Sequence, residues 1–142
     1  EFLLNEGILA MMEKGAVFTP RTVKEWMDCG NPKITLQTNI KMLNILTAEG
    51  NKLVADDVII ENSEIIPPCY IGSGVILKNS TVGPHTAIGE GTQIENSTIS
   101  KSLIQKHSLI QNAQLEGAMI GNHVKYDGKF SFVSIGDYSE LS

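Results

Sequence analysis

Side chains able to do chemistry are few in this chain, so their spacing matters more than their number. There are three histidines, His85, His107 and His123. Imidazole titrates nearest neutrality of the ordinary side chains, which makes it a natural general base or metal ligand. His107 and His123 each stand three residues after an isoleucine, Ile104 and Ile120, and His85 stands three after Val82. Asp28 begins Asp-Cys-Gly-Asn-Pro, where a carboxylate is well placed to cap the turn before Gly30 or the helix at Pro32. Cys29 has no histidine near it in sequence and reads as a packing thiol rather than a nucleophile. Trp26 is a packing anchor or a stacking platform, and Lys24 and Lys33 are surface lysines or phosphate contacts.

The elements that must position these residues differ between the two halves of the chain. Over 142 residues, 11 Lys plus Arg face 16 Asp plus Glu, a net charge of −5. That balance argues against nucleic acid as the main partner. No apolar run reaches the roughly 20 residues that span a bilayer, no signal-peptide pattern opens the chain, and two cysteines do not make a disulfide scaffold. A cytoplasmic protein with no membrane partner is the expectation. Residues 1–51 spell a helix over Glu6 to Lys14 with Asn5 as its cap and Gly15 as its stop. Two extended pieces are expected next, at 16–18 and 22–27, and then a helix capped by Asn31 with Pro32 in its first turn. Leu36, Ile40, Leu43 and Met42 or Leu46 form its apolar face, and Gly50-Asn51 end it. So small a unit closes no core of its own. It is expected to be the carboxy-terminal edge of a larger α/β domain.

Residues 52–142 are a repeat, and 13 of the 17 isoleucines lie there. Three aliphatic columns interleave: Ile60, Leu77, Ile94, Ile110; Ile65, Val82, Ile99, Leu115; and Ile71, Ile88, Ile104, Ile120, Ile135. Small residues follow each column three or four positions later, among them Cys69, Val75, Ser80, Thr92, Ser97 and Ser108. Asn62, Asn79, Asn96 and Asn112 each stand two after a first-column residue, and Asn tolerates the left-handed backbone of a tight corner. The spacing predicts a triangular coil of parallel strands, about five turns with neighbouring turns roughly 4.8 Å apart. Tyr126, Phe130 and Phe132 break the pattern and are expected in a loop or closure at the far end.

Segments such as Ile71-Gly72-Ser73-Gly74-Val75-Ile76 resemble the hexapeptide repeat. That resemblance implies a mainly β chain, a left-handed parallel β-helix preceded by a small α/β segment. The stretch from Glu25 to Pro32, with its Trp26-x-Asp28-x-Gly30 and following helix, resembles the end of the sugar-1-phosphate nucleotidyltransferase domain, and the whole chain is similar to glucose-1-phosphate thymidylyltransferase-like members. The resemblance implies nucleotidyl transfer from a nucleoside triphosphate to a sugar 1-phosphate. It makes Asp28 one of two Mg²⁺-binding carboxylates in the intact enzyme, with no cofactor expected on this chain alone. The loop that cradles the triphosphate is not in this sequence, so the chain by itself is expected to be inactive. Two alternatives stand beside it. Hexapeptide β-helices also occur in acyltransferases with a histidine base, which would fall to His107 or His123, although the aliphatic rows put both at outward corners, where stacked residues form a solvated ladder. The rod could instead serve only assembly, as a trimer or dimer of identical chains.

Overall fold

A computed structural model describes residues 3–23, 26–128, 134–137 and 140–141. Helix α1 (Leu4–Glu13) begins earlier than its sequence suggests. Asn5 lies inside the first turn, and Leu3 flanks the helix with its backbone N–H donating to Glu6 Oε2 at 3.3 Å. A Glu three residues along satisfies one of the orphan donors of the helix start, which moves the boundary back from Asn5. Gly15 stops the helix as expected, at φ +88 with its N–H on the Met12 carbonyl. None of the α1 side chains is buried.

Among the described residues of 16–30 none pairs in a sheet, so the piece expected at 16–18 is no strand, and the one expected at 22–27 lies partly outside the described residues. Strand propensity alone does not hold an extended segment without a ladder partner. Helix α2 (Pro32–Ala48) follows its sequence closely. Asn31 Oδ1 accepts the Ile34 N–H at 3.0 Å, Leu36 and Leu43 are buried, and Gly50 at φ +76 ends the helix.

Beyond α2 the chain is a parallel β-solenoid of about four turns. One sheet stacks β1 (Ile59–Glu61), β4 (Ile76–Lys78), β7 (Gln93–Glu95), β10 (Leu109–Gln111), β13 (Lys125–Asp127) and β15 (Glu140–Leu141). A second stacks β2 (Glu64–Ile65), β5 (Thr81–Val82), β8 (Thr98–Ser100) and β11 (Gln114–Glu116). The third stacks β3 (Cys69–Ile71), β6 (Thr86–Ile88), β9 (Leu103–Ile104), β12 (Met119–Ile120) and β14 (Ser134–Ile135). The three aliphatic columns of the sequence are the three inward rows, and from Ile71 to Ile120 their members are buried.

Two positions depart from that pattern. Ile60 is 50% exposed although its column faces the core, because it sits in the first turn with no turn outside it. Tyr126 does not break the coil. It pairs in register with Ile110 and is 2% exposed, so its ring continues the first column. Phe130 and Phe132 lie outside the described residues.

Polar side chains stitch one turn to the next. Ser80 Oγ accepts from Ser97 N at 3.1 Å while donating to the Lys78 carbonyl, and Ser97 Oγ repeats this with Ala113 N and the Glu95 carbonyl. Asn62, Asn79, Asn96 and Asn112 all have positive φ, as the corner reading expects. Each donates its amide Nδ2 to the next Oδ1, and Asn112 donates to Asp127 Oδ1 at 2.9 Å. Among the described residues no buried side-chain nitrogen or oxygen lacks a partner.

Candidate functional site

Asp28 sits where the segment leaving Trp26 turns into α2. Its Oδ1 accepts the backbone N–H of Cys29 at 2.7 Å and of Gly30 at 3.0 Å, so the carboxylate does cap its own turn. The turn is tied to the helix behind it. Thr38 Oγ1 donates to the Asp28 carbonyl at 2.7 Å, and Thr35 Oγ1 donates to the Cys29 carbonyl at 3.2 Å. Both threonines fall on one face of α2, four and seven residues past Asn31. Beside the turn, Trp26, Met27, Asp28, Ile34, Gln37, Thr38 and Lys41 line a pocket of 240 Å³. Trp26 is 79% exposed and anchors no packing, contrary to the first of its two readings. Cys29 and Lys33 are exposed, and Lys24 lies outside the described residues.

A hard divalent cation takes one or two carboxylates and completes its shell with phosphate oxygens and water. Asp28, exposed and oriented by two N–H donors, fits one such ligand. Among the described residues no group of three or more His, Cys, Asp or Glu is placed to hold a metal ion.

The histidines divide into two kinds. His85 is a latch between the solenoid and α2. Its Nε2 lies 3.1 Å from Asn44 Oδ1, and its carbonyl accepts from Asn39 Nδ2 at 3.4 Å. No periodicity pairs it with Asn44, which is 41 residues away. His107 and His123 are exposed at one corner of consecutive turns, with ring centroids 5.3 Å apart and planes 26° apart. Their φ values are +55 and +57, and the two preceding turns place Gly74 and Gly91 there at +67 and +66. A Cβ on Gly91 would meet His107 Nδ1, so glycine leaves the room that ring occupies.

Near this corner the charges are ordered. Lys106 Nζ is 3.1 Å from Glu90 Oε2. Asp137 accepts from both Asn122 nitrogens, and these bonds hold its carboxyl below the usual range, with the His123 charge adding to the effect. The groove on the outer face of the third sheet has a volume of 320 Å³ and is bounded by Tyr70, Ala87, Glu90, Leu103 and Lys106 among others, with neither histidine lining it. A base for acyl transfer needs an acceptor beside it. Cys69 is core filler as read from the sequence. Burial raises its thiol pKa, and its Sγ donates to the Ile66 carbonyl at 3.0 Å.

No helix is long and apolar enough to cross a membrane among the described residues. No protein-family model matches the sequence, and no curated protein matches it.

Proposed function

We propose that this chain is the carboxy-terminal part of a sugar-1-phosphate nucleotidyltransferase. In that reaction a sugar phosphate oxygen forms a bond to the α-phosphorus of a nucleoside triphosphate, the bond to the bridging oxygen breaks, and pyrophosphate leaves. The observation that carries the reading is the Trp26–Asp28–Gly30 turn: an exposed carboxylate at a pocket, tied by Thr38 to α2, which is itself latched to a β-solenoid. Segment, helix and rod stand in the order that the resemblance implies. Residues 1–51 are then the edge of the catalytic domain, and residues 52–142 a left-handed β-helix that joins subunits as a trimer or dimer in the cytoplasm. Asp28 is one carboxylate of the Mg²⁺ set in the intact enzyme. The metal would supply charge neutralisation at the phosphates, and this chain's own contribution is to fix the carboxylate by the Cys29 and Gly30 N–H groups.

The experiment is nucleotide-sugar formation from triphosphate, sugar 1-phosphate and Mg²⁺. Residues 1–142 alone are expected to give none. In the intact polypeptide, Asp28→Asn is expected to cut turnover by about 100-fold or more, the scale of losing electrostatic stabilisation of the transition state. Turnover by residues 1–142 alone, or full activity of the intact variant, would overturn the proposal.

A further inference from the structure

We infer that His85 is a positioning residue for Asp28, acting from the solenoid through α2. At the same corner of the next two turns, Lys101 pairs with Glu116 of the solenoid and Gly117 carries no side chain. His85 shares their left-handed backbone, at φ +60, but reaches out of the solenoid to α2. That backbone costs a non-glycine residue energy, and strain of this kind collects where a side chain is needed.

Apolar packing holds α2 without fixing its rotation, because burial is non-directional. Leu36 and Leu43 form the buried stripe, and α2 packs against β6. On a regular helix Asn39 stands about 50° to one side of that stripe and Asn44 about 90° to the other. His85 engages both. Its carbonyl accepts from Asn39 Nδ2 at 3.4 Å, and its Nε2 donates to Asn44 Oδ1 at 3.1 Å, since an amide oxygen only accepts. Contacts astride the stripe resist turning of the helix in either direction. Further round, on the side of Asn39, Thr35 and Thr38 donate to the Cys29 and Asp28 carbonyls. Rotation of α2 therefore moves the turn whose Cys29 and Gly30 N–H groups hold the Asp28 carboxylate.

The metal-binding role of Asp28 rests on the proposed function, whereas its mechanical tie to His85 does not. The first measurement is amide hydrogen exchange in residues 1–142. Asn44→Ala removes the latch at an exposed helix position that suits alanine, and His85→Asn keeps a residue tolerant of positive φ. Each is expected to speed exchange of the Cys29 and Gly30 N–H groups about 3–10-fold, the scale of one hydrogen bond. The double variant is expected to add nothing to either. Leu103 and Gln105, whose N–H groups bond within the solenoid, are expected to keep their rates. Asn44→Asp keeps an accepting oxygen and is expected to exchange as the wild type.

The second measurement is the Mg²⁺ requirement of the intact polypeptide, which a merely structural contact would not move. Asn44→Ala is expected to raise the Mg²⁺ concentration at half-maximal nucleotide-sugar formation about 3-fold, within the range of one lost hydrogen bond, and Asn44→Asp to leave it unchanged. Unchanged exchange at Cys29 and Gly30 in either latch variant would overturn the inference, as would an unchanged Mg²⁺ requirement of Asn44→Ala beside an active wild type. An intact wild type that forms no nucleotide sugar would instead refute the reading of Asp28, and exchange alone would then decide the coupling.

Discussion

Asp57 shows how much one surface carboxylate can do for a turn. Its Oδ2 accepts the Ser73 hydroxyl at 2.6 Å and the Gly74 N–H at 3.0 Å, tying the lead-in segment to the first full turn. The Ser73 hydrogen bond holds its carboxyl below the ordinary value. A carboxyl depressed in the folded state contributes stability above its unfolded value, and that stability is lost as pH falls through the folded one. Melting temperature is therefore expected to drop below about pH 4, with Asp57→Asn flattening the decline; parallel pH profiles for the two proteins would refute the link. Residues of this kind were legible only where they recur. The Asn62–Asn112 row announces its backbone conformation by repetition, as does Cys69 by its place in a small-residue row. Asp57 and Asn44 occur once each, and their partners lie 16 and 41 residues away. A single side chain aimed at a distant turn leaves no period to read.

At the scale of elements, the coil is not uniform, and its irregularity is where α2 attaches. Turns joined through Asn62, Asn79 and Asn96 are 17 residues long, and the next is 16. The longer turns spend their extra residue at the second corner, around Pro67-Pro68 and Gly83-Pro84, and His85 projects from that corner to Asn44. Leu43→Ala on the buried face of α2 is expected to cost about 2–5 kcal/mol. Helical ellipticity should then be lost in a separate step before the β-signal; a single unchanged transition would show that α2 does not depend on this face. The solenoid was legible because three columns in phase state the period and the inward face together. The boundaries of α1 and the segment at 16–30 were not, since hydrogen-bond partners rather than residue types decide whether such pieces become strands.

For the whole molecule, apolar side chains lie uncovered near its beginning: Leu4 is 81% exposed, Val17 88% and Trp26 79%. Surface of that kind is unusual unless something covers it, in keeping with the proposed catalytic domain. The proposed assembly through the rod predicts a trimer or dimer by light scattering, and a monomer at every concentration would count against it. One further property runs the length of the solenoid. Every amide in the asparagine row donates toward the next turn, so their dipoles add head to tail, and the row finishes on the carboxylate of Asp127. An ionised carboxylate can only accept. Asp127 thereby fixes which way each upstream amide faces, and its negative charge meets the positive end of the summed dipole, much as an anion does at the start of a helix. The row has a polarity written by its last member, and an asparagine at 127 would leave both directions open.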